Sequence, residues 1–391
     1  MSTPVAEAGP AEARVPAAQF AVLWLGVVAF FLSFFVLLPT LPMYAQALGI
    51  PESRIGVLVG AFPISAMLLR PVVGWAADRH GRRPFMLLGA AVFALSPGLY
   101  AVSASLAVLV LARLFHGAGM ALFQTASQAM VADLAPPRRR GEVMGLFGIA
   151  GNVALAVGPM LGVWLVQGAG YGALFVCSAG AAVIALALAA AQRETLLEPT
   201  LTRLTPTTAL SAAVAYPVLL ELILMTSYGM QSTYLPLAAQ AQGYNPGLFF
   251  LVMAAAVIAA RAIGGRLSDR WGRPAIAAAG AALQAAALFA LAAGAGPVAV
   301  AVAGALYGLG FGTAQPALGA WCVDLVGPAE RGKAMGTFFT GLELGIALGA
   351  IGAGWVLRET GYAGLFLTGG SICLVGCALA LLRLRGWSRS A

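Results

Sequence analysis

Two glutamates, an arginine and a histidine lie inside long apolar stretches of this sequence, and proton transfer is the chemistry they could support. Glu221 and Glu343 are carboxylic acids, while Arg113 and His116 are three residues apart and would share one face of a helix. Burial disfavours a charged carboxylate and a nearby arginine favours it. A Glu221 that alternately approaches and leaves Arg113 would therefore take up and release a proton. The alternative for Glu221 is a fixed bond to Arg113 or to the backbone.

The histidine and the second glutamate each have more than one interpretation. His116 would titrate near neutral pH if it were unperturbed, which suits a proton site, but a neutral, hydrogen-bonded histidine fits equally well. Glu343 lies among Gly341, Gly345 and Gly349, whose spacing is typical of close helix packing. Glu343 is therefore a candidate second proton site, a partner for a substrate cation, or a packed group bonded to a neighbouring helix.

Motifs for catalysis or metal binding are missing from the sequence. It contains two histidines and four cysteines, and no HExxH, GxSxG, P-loop or CxxC pattern. Cys373 and Cys377 are four residues apart in an apolar stretch, where we expect them to pack rather than to bind a metal. We predict a protein that is not an enzyme and that requires no cofactor and no metal.

The composition is that of a membrane protein. Hydrophobic residues make up 61% and charged residues 9% of the 391 positions, whereas soluble domains contain about 25% charged residues. The mean hydropathy is +0.91. Twelve apolar segments can be counted, each near the roughly 20 residues that cross a bilayer as a helix. They are residues 18–48, 54–77, 85–104, 106–132, 141–168, 171–191, 209–240, 246–269, 275–294, 297–324, 332–357 and 362–383.

Most of the positive charge lies in alternate loops between these segments. The formal net charge is +8, and Lys333 is the only lysine. Loops rich in lysine and arginine remain in the cytoplasm, so we predict that both termini are cytoplasmic and that the charge sets topology rather than binding nucleic acid. The basic residues on this side are Arg79, Arg82, Arg83, Arg138, Arg139, Arg140, Arg193, Arg203, Arg270, Arg273, Arg331, Lys333, Arg383, Arg385 and Arg389.

The two halves of the chain repeat one another at an interval of 191 residues. The stretch GWAADRHGRRP at 74–84 returns as GRLSDRWGRP at 265–274. Internal repeats of this size are common in transporters. Other matching pairs are Arg70 and Arg261, Gly117 and Gly308, Gln124 and Gln315, and Asp133 and Asp324. The predicted units are a disordered N-terminus 1–17, a six-helix bundle 18–191, a linker 192–208, a second six-helix bundle 209–385 and a tail 386–391.

The repeated charged stretch resembles motif A of the major facilitator superfamily, where it follows the second and the eighth helices. The early prolines in residues 38–49 resemble the first helix of that family's drug/proton antiporter branch. The resemblance covers residues 18–385. It implies an all-α integral membrane fold of twelve transmembrane helices in two six-helix pseudo-symmetric bundles, in the bacterial inner membrane.

Two further motifs of that family have partial counterparts here. Arg113, followed by Gly117 and Gly119, is similar to motif B, although His116 stands where that motif often has glutamine. The glycines and proline of motif C bend the fifth helix and seal the periplasmic side, and this sequence matches that motif in part. The matching residues, our predicted helix-bend motif, are Gly158, Pro159 and Gly162.

The resemblance also implies that the charged motifs hold the two bundles together in one conformation. Gly74 and Gly265 would let a helix of the other bundle approach, and each motif aspartate would face the N-terminus of that helix. Each second motif arginine would pair with an aspartate at the end of the fourth or tenth helix. The predicted latch residues are Gly74, Asp78, Arg79, Arg82, Asp133, Gly265, Asp269, Arg270, Arg273 and Asp324.

In this family the first, fourth, seventh and tenth helices line a central cavity, which directs Arg113, His116 and Glu221 toward it. The other predicted cavity residues are Phe34, Gln124, Tyr228, Gln231 and Gln315. Arg70 and Arg261 lie about one turn before the motif glycines, and we expect them to extend to the membrane interface.

Two transport functions fit these features. The first is proton-coupled export of a small amphipathic or cationic compound by alternating access, favoured by the partial motif C and by two glutamates that could meet a cation. The second is symport or facilitated diffusion of a polar metabolite such as a sugar or an organic acid. The expected partners are the bilayer, protons and the substrate, with no nucleic acid, and the chain is expected to act as a monomer.

Overall fold

The computed structural model describes residues 16–136, 139–196, 210–294, 296–327 and 330–387. Within these ranges the chain is helical and has no strand. Nine of the described helices are long and apolar enough to cross a membrane, or ten if the pair Gly247–Arg261 and Ile263–Trp271, bent by 52°, is one span. The predicted segments 1–17, 192–208 and 386–391 lie mostly outside the described residues, as do Arg138, Arg203 and Arg389.

The helices follow one another with short connections, and two of them contain a backbone break. They are α1 (Ala17–Phe35), α2 (Thr40–Ala47), α3 (Glu52–His80), α4 (Arg83–Ala101), α5 (Leu106–Leu134), α6 (Arg140–Ala190), α7 (Ala215–Ala241), α8 (Gly247–Trp271), α9 (Arg273–Ala293), α10 (Pro297–Asp324) and α11 (Arg331–Trp387). Gly170 in α6 has a φ of 80° and Gly361 in α11 a φ of 68°, so each of these elements consists of two helices. Both breaks lie where the sequence predicts a gap between two apolar segments.

The 191-residue repeat is visible in helix packing. Gly117 of α5 lies against the carbonyl of Phe62 in α3, and Gly308 of α10 lies against the carbonyl of Met253 in α8. A Cβ at either glycine would overlap that carbonyl, which explains why both positions lack a side chain. We call α1–α6 the N-terminal half and α7–α11 the C-terminal half.

The two halves meet at the end of the molecule opposite the arginine-rich loops, which we call the closed end. There Gly56 of α3 packs against the carbonyl of Ala350 in α11, and Gly247 of α8 packs against Met160 of α6. Gly56 and Gly247 are 191 positions apart, so the repeat relates these two contacts. Each joins the start of α3 or α8 in one half to a glycine-rich helix, α11 or α6, of the other half. The Gly56 amide also donates to the Tyr234 hydroxyl of α7, at 3.1 Å.

At the arginine-rich end the helices of the two halves stand apart, and we call it the open end. A Cβ on Gly145, Gly148, Gly265 or Gly336 would meet nothing within 4 Å. Close contacts at one end and open space at the other leave room for a cavity between the halves that widens toward the arginine-rich loops.

Candidate functional site

A cavity of about 930 Å³ lies between the two halves. Aromatic and methionine side chains from both halves form much of its wall, including Phe34, Phe62, Met225, Tyr228 and Phe311. A wall of this kind suits an apolar, adaptable ligand. Of the described residues in the wall, four are charged: Arg70, Arg113, Arg261 and Glu343.

One ion pair in this wall joins the two halves. Arg70 of α3 donates from Nε at 2.8 Å and from Nη2 at 2.5 Å to Oε1 of Glu343 in α11. Arg70 Nη2 also donates to the Gln124 side-chain oxygen, at 2.6 Å. The arginine and glutamate side chains are only 17% and 6% exposed. The expectation that Arg70 extends to the membrane interface is therefore wrong, because a carboxylate inside the cavity binds it.

The repeat places a second arginine in the same setting without the acid. Arg261 of α8 donates to the Gln315 side-chain oxygen at 2.9 Å, as Arg70 does to Gln124. The position that corresponds to Glu343 in the other half is Asn152, which also lines the cavity. No carboxylate oxygen of the described residues lies within 4 Å of Arg261, and its Nε is buried without a hydrogen-bond partner.

Arg113 of α5 also lines the cavity, but aromatic rings cover it. Its guanidinium lies 4.5 Å from the ring centre of Phe62 and 5.7 Å from that of Phe34, a cation–π arrangement. The residue is 3% exposed, and its Nε and Nη1 have no hydrogen-bond partner.

His116 lies inside the N-terminal half rather than in the described wall. Its Nδ1 is 2.9 Å from the Tyr100 hydroxyl, and its ring lies 4.1 Å from that of Phe93. His116 is completely buried. This environment corresponds to the hydrogen-bonded alternative rather than to a group open to the cavity.

Glu221 is fully buried inside the C-terminal half, behind the cavity wall. Neither of its carboxylate oxygens has a hydrogen-bond partner among the described residues. Glu221 forms no ion pair with Arg113, which belongs to the other half. The predicted approach of these two residues is therefore absent from this conformation, and Glu221 does not meet a substrate cation in the cavity.

The predicted polar and aromatic wall residues have different positions. Phe34, Gln124, Tyr228 and Gln315 line the cavity as expected. Gln231 is wrong as a wall residue, because its side chain is fully buried within the C-terminal half and its amide has no hydrogen-bond partner. Gln231 follows Tyr228 by three positions on α7, and the small rotation between them separates the cavity side of the helix from the packed side.

The charged motifs form the same network in both halves. Arg82 binds Asp78 and lies 3.3 Å from Asp133. In the second half, Arg273 donates from Nη1 to Asp269 at 2.6 Å and from Nε to Asp324 at 2.9 Å. Each network stays inside its own half. The pairings with the helix-end aspartates were predicted from the resemblance, whereas Asp78 and Asp269 contact their own arginine rather than a helix of the other half.

The motif glycines have no partner helix from the other half in this conformation. The nearest atom to a Cβ on Gly74 would be the Thr125 methyl group of the same half, at 3.8 Å, and a Cβ on Gly265 would meet nothing within 4 Å. The open end separates the halves at these positions. Arg79 packs over the Trp75 ring at 5.8 Å, and Arg270 is exposed.

The helix-bend residues lie at a tight contact within the N-terminal half. A Cβ on Gly158 or Gly162 of α6 would overlap Phe35 or Val36 at the end of α1. Helical φ and ψ continue through Pro159, since the only break inside the described α6 is at Gly170. The glycines therefore allow close packing here, and the predicted bend at Pro159 is not seen as a break in the helix.

Glu194, which the sequence did not single out, caps the helix that follows the first charged motif. Its carboxylate accepts the backbone N–H groups of Arg82 and Arg83, at 2.9 and 3.0 Å, before and at the start of α4. Burial alone would raise the pKa of Glu194, but these bonds and those from the Thr195 and Leu196 amides hold its pKa below the usual value. The sequence marks Glu194 only as an acidic residue just after an apolar segment, and that feature alone predicts no hydrogen-bond partner.

Comparisons with known proteins agree with this architecture. A family model described as Major Facilitator Superfamily matches residues 23–265 and 219–388. The quinolone resistance protein NorA of Staphylococcus aureus is 28% identical over 149 residues, which is 38% of this chain and 38% of that protein. Multidrug resistance protein 2 of Bacillus subtilis is 28% identical over 153 residues, or 39% of this chain and 38% of that protein.

These sequence matches span well under half the length of either relative, whereas a solved structure matches over nearly the whole chain. The crystal structure of the human organic anion transporter MFSD10 (TETRAN) covers 94% of this chain and 100% of its own, with a TM-score of 0.69 and 22% identity. At that identity the likeness shows the fold.

Proposed function

The chain belongs to the Major Facilitator Superfamily, and from that premise we propose that it exports a small amphipathic compound in exchange for protons. Members of the family and the structural neighbours are transporters rather than enzymes. The observation that carries the proposal is the Arg70–Glu343 ion pair, a titratable contact between the halves inside an apolar cavity. The names of the two relatives, quinolone and multidrug resistance, agree with export of drug-like molecules.

The proposal includes twelve spans, with the open end and both termini on the cytoplasmic side of a bacterial inner membrane. The count of twelve takes the two helices within α6 and the two within α11 as separate spans. It takes α1 with α2 as one span and the bent α8 as another. The positive loops at the open end support this orientation. A single chain of two halves is sufficient for the cycle, so we expect a monomer.

The proposed cycle alternates the closed end and the open end around the central cavity. Charged Glu343 binds Arg70 and ties α3 to α11. Protonation removes the negative charge, leaves Arg70 without its acid and weakens the link between the halves. A proton that enters from the closed side and leaves from the open side would then drive the substrate in the opposite direction.

Glu221 is the second candidate for proton coupling. A buried carboxyl group without a cationic partner is most stable in its uncharged form. Both Glu221 oxygens lack a hydrogen-bond partner, and Gln315 of α10 binds Arg261 in the cavity wall. Movement of α7 against α10 would change this environment, so the proposal keeps Glu221 as a site that responds to the cycle rather than as the first proton acceptor.

The test uses proteoliposomes that contain a pH-sensitive dye and the wild type, Glu343→Gln or Glu221→Gln. Aromatic amphipaths and sugars are added across an imposed pH gradient. We expect amphipath movement coupled to proton flux in the wild type and loss of that coupling in Glu343→Gln. Uphill transport at the wild-type rate by Glu343→Gln would overturn its role, and loss only in Glu221→Gln would assign the proton to Glu221.

A polar-metabolite carrier remains the alternative, because amides of Gln124, Gln128, Asn152 and Gln315 also line the cavity. Movement of a sugar that is independent of the pH gradient and equal in all three proteins would favour it. The apolar character of most of the wall favours export of an amphipath.

A further inference from the structure

We propose that Arg261 and Gln315 bind a carboxylate group of the transported compound, so that the substrate is an aromatic amphipath with a negative charge. This inference rests on the proposed transport function and specifies the substrate that its cavity accepts. It replaces the cationic substrate that the two glutamates suggested.

The protein contains its own example of the proposed complex. In one half, Arg70 is held by Gln124 and binds the carboxylate of Glu343. In the other half, the repeat reproduces the arginine and the glutamine as Arg261 and Gln315, at a similar N–O distance of 2.9 Å.

Only the carboxylate is missing from the second arrangement. The residue that corresponds to Glu343 is Asn152, whose amide cannot neutralise a guanidinium. A substrate carboxylate on Arg261 would occupy the place that Glu343 occupies on Arg70.

The charge of the cavity supports an anionic ligand. Its described wall has three arginines and one glutamate, a formal charge of +2. The Nε of Arg261 is buried without a partner, and a buried donor in this state gains a full charge-assisted hydrogen bond when a carboxylate arrives.

Arg113 is less suited to this ligand than Arg261. The rings of Phe34 and Phe62 cover its guanidinium, and it is 3% exposed. Arg261 is partly exposed in the cavity wall, so a carboxylate reaches it without displacing an aromatic ring.

The surroundings of Arg261 explain why the anion should be aromatic. Phe311 lies one helical turn before Gln315 on α10, and therefore on the same face. The Phe311 ring stacks on that of Tyr228, with 5.5 Å between ring centres, and both line the cavity. A planar ring on this pair would leave its carboxylate directed toward Gln315 and Arg261.

Equilibrium binding to the purified protein in nanodiscs, without a pH gradient, tests the inference. The probes are dansylglycine, 1-naphthoate and 2-naphthoate, each paired with its methyl ester. We expect each carboxylate to bind more tightly than its ester. Arg261→Gln should weaken carboxylate binding by about tenfold or more and leave ester binding unchanged, because hydrogen bonds to charged groups contribute more than neutral ones.

Two further variants serve as controls. Arg266→Gln removes an exposed arginine of the same helix, outside the described wall, and should leave binding unchanged. Asn152→Glu supplies the missing acid from the protein and should compete with the carboxylate probes, whereas Asn152→Gln should not.

Two results would overturn the inference. One is that no carboxylate in the panel binds more tightly than its ester. The other is that Arg113→Gln abolishes the preference while Arg261→Gln retains it. Because binding is measured without a gradient, failure of proton coupling in the transport assay leaves this result intact, and the two proposals fail separately.

Discussion

Arg70 and Glu343 form an ion pair that connects α3 of the N-terminal half to α11 of the C-terminal half. Two donors of one guanidinium bind a single carboxylate oxygen, at 2.8 and 2.5 Å. The Arg70 guanidinium also lies 5.6 Å from the ring centre of Phe339 in α11. The other contacts that we describe between the halves are close packing and hydrogen bonds at the closed end. The strength of this central contact therefore depends on one proton, which makes it suited to coupling protonation to movement of the halves.

Removing either member of this pair should cost more than removing both. Loss of one partner from a buried pair costs about 3 kcal/mol of unfolding free energy, because the other charge remains buried and uncompensated. We expect Arg70→Gln and Glu343→Gln each to destabilise the protein, and the double variant to be less destabilised than either of them. Unfolding in detergent measures the coupling.

The exposed pair Arg139 and Glu142 provides the control for that cycle. These side chains are 60% and 63% exposed and lie 2.7 Å apart. Exposed pairs contribute little to stability, because water and salt screen them. A coupling energy for Arg70 and Glu343 no larger than that of the exposed pair would contradict the assignment of the buried pair as a strong contact.

Glycines at the two ends should respond oppositely to added side chains. A Cβ on Gly56 would overlap the Ala350 carbonyl, whereas a Cβ on Gly265 would meet nothing within 4 Å. Gly56→Ala should therefore open the closed end, with a cost of about 1–3 kcal/mol and a shift in the population ratio of about fivefold or more. Gly265→Ala should leave this conformation unaffected.

Distances between spin labels on either side of the closed end measure that shift. A distance distribution that is the same in Gly56→Ala and in the wild type would contradict the role of this contact. An opening of the closed end in Gly265→Ala would contradict the finding that a side chain at this position has open space around it.

The sequence predicted the elements that depend on spacing. Apolar segments of membrane length predicted the helices, and the 191-residue interval predicted that Arg82 and Arg273 would have equivalent surroundings. The pairing of each with an aspartate came from the family resemblance. The helices and the equivalence of repeated positions depend on the number of residues between two points of the chain, which the sequence gives directly.

The rotation of each helix about its own axis was the part that the sequence could not predict. In a membrane helix apolar residues cover every face, so hydrophobic periodicity does not identify the side that faces the cavity. We predicted that Glu221 faces the cavity, but it lies behind the cavity wall. We predicted that Arg70 extends to the membrane interface, but it binds Glu343. Successive residues are rotated by about 100° about the helix axis, so a shift of one position decides whether a side chain faces the cavity or packs away from it.

Glu194 should make stability depend on pH in an acid range. Its pKa in the folded protein lies below the usual value of 4.5 because backbone N–H groups stabilise the carboxylate. This contribution is present above that value and is lost as the pH falls through the folded-state pKa. We expect Glu194→Gln to lower the unfolding temperature at pH 7 and to have progressively less effect as the pH falls from 4.5 through the folded-state pKa.

The effect of Glu194 should be small, below about 1 kcal/mol, because the side chain is largely exposed to solvent. Glu359→Gln, which removes the charge of an exposed acid near the closed end, is the matched control. A difference between Glu194→Gln and the wild type that persists unchanged at low pH would assign the effect to packing instead of charge.

Tyr234 should stabilise the closed end through its hydroxyl group. The hydroxyl accepts from the Gly56 amide at 3.1 Å and donates to the Glu52 carbonyl at 3.3 Å, and so connects α7 of one half to α3 of the other. A typical hydrogen bond contributes about 1 kcal/mol. We expect Tyr234→Phe to increase the fraction of molecules open at this end by several-fold.

Tyr44→Phe is the matched control, since the Tyr44 hydroxyl donates to the Tyr100 carbonyl at 3.3 Å within the N-terminal half. Its loss should lower the unfolding temperature without changing the ratio of conformations. The same spin-label distances across the closed end separate the two effects. If Tyr234→Phe and Tyr44→Phe changed those distances equally, the hydroxyl of Tyr234 would contribute to stability alone, and the closed end would depend on glycine packing and on the bond from Tyr362 to Glu52.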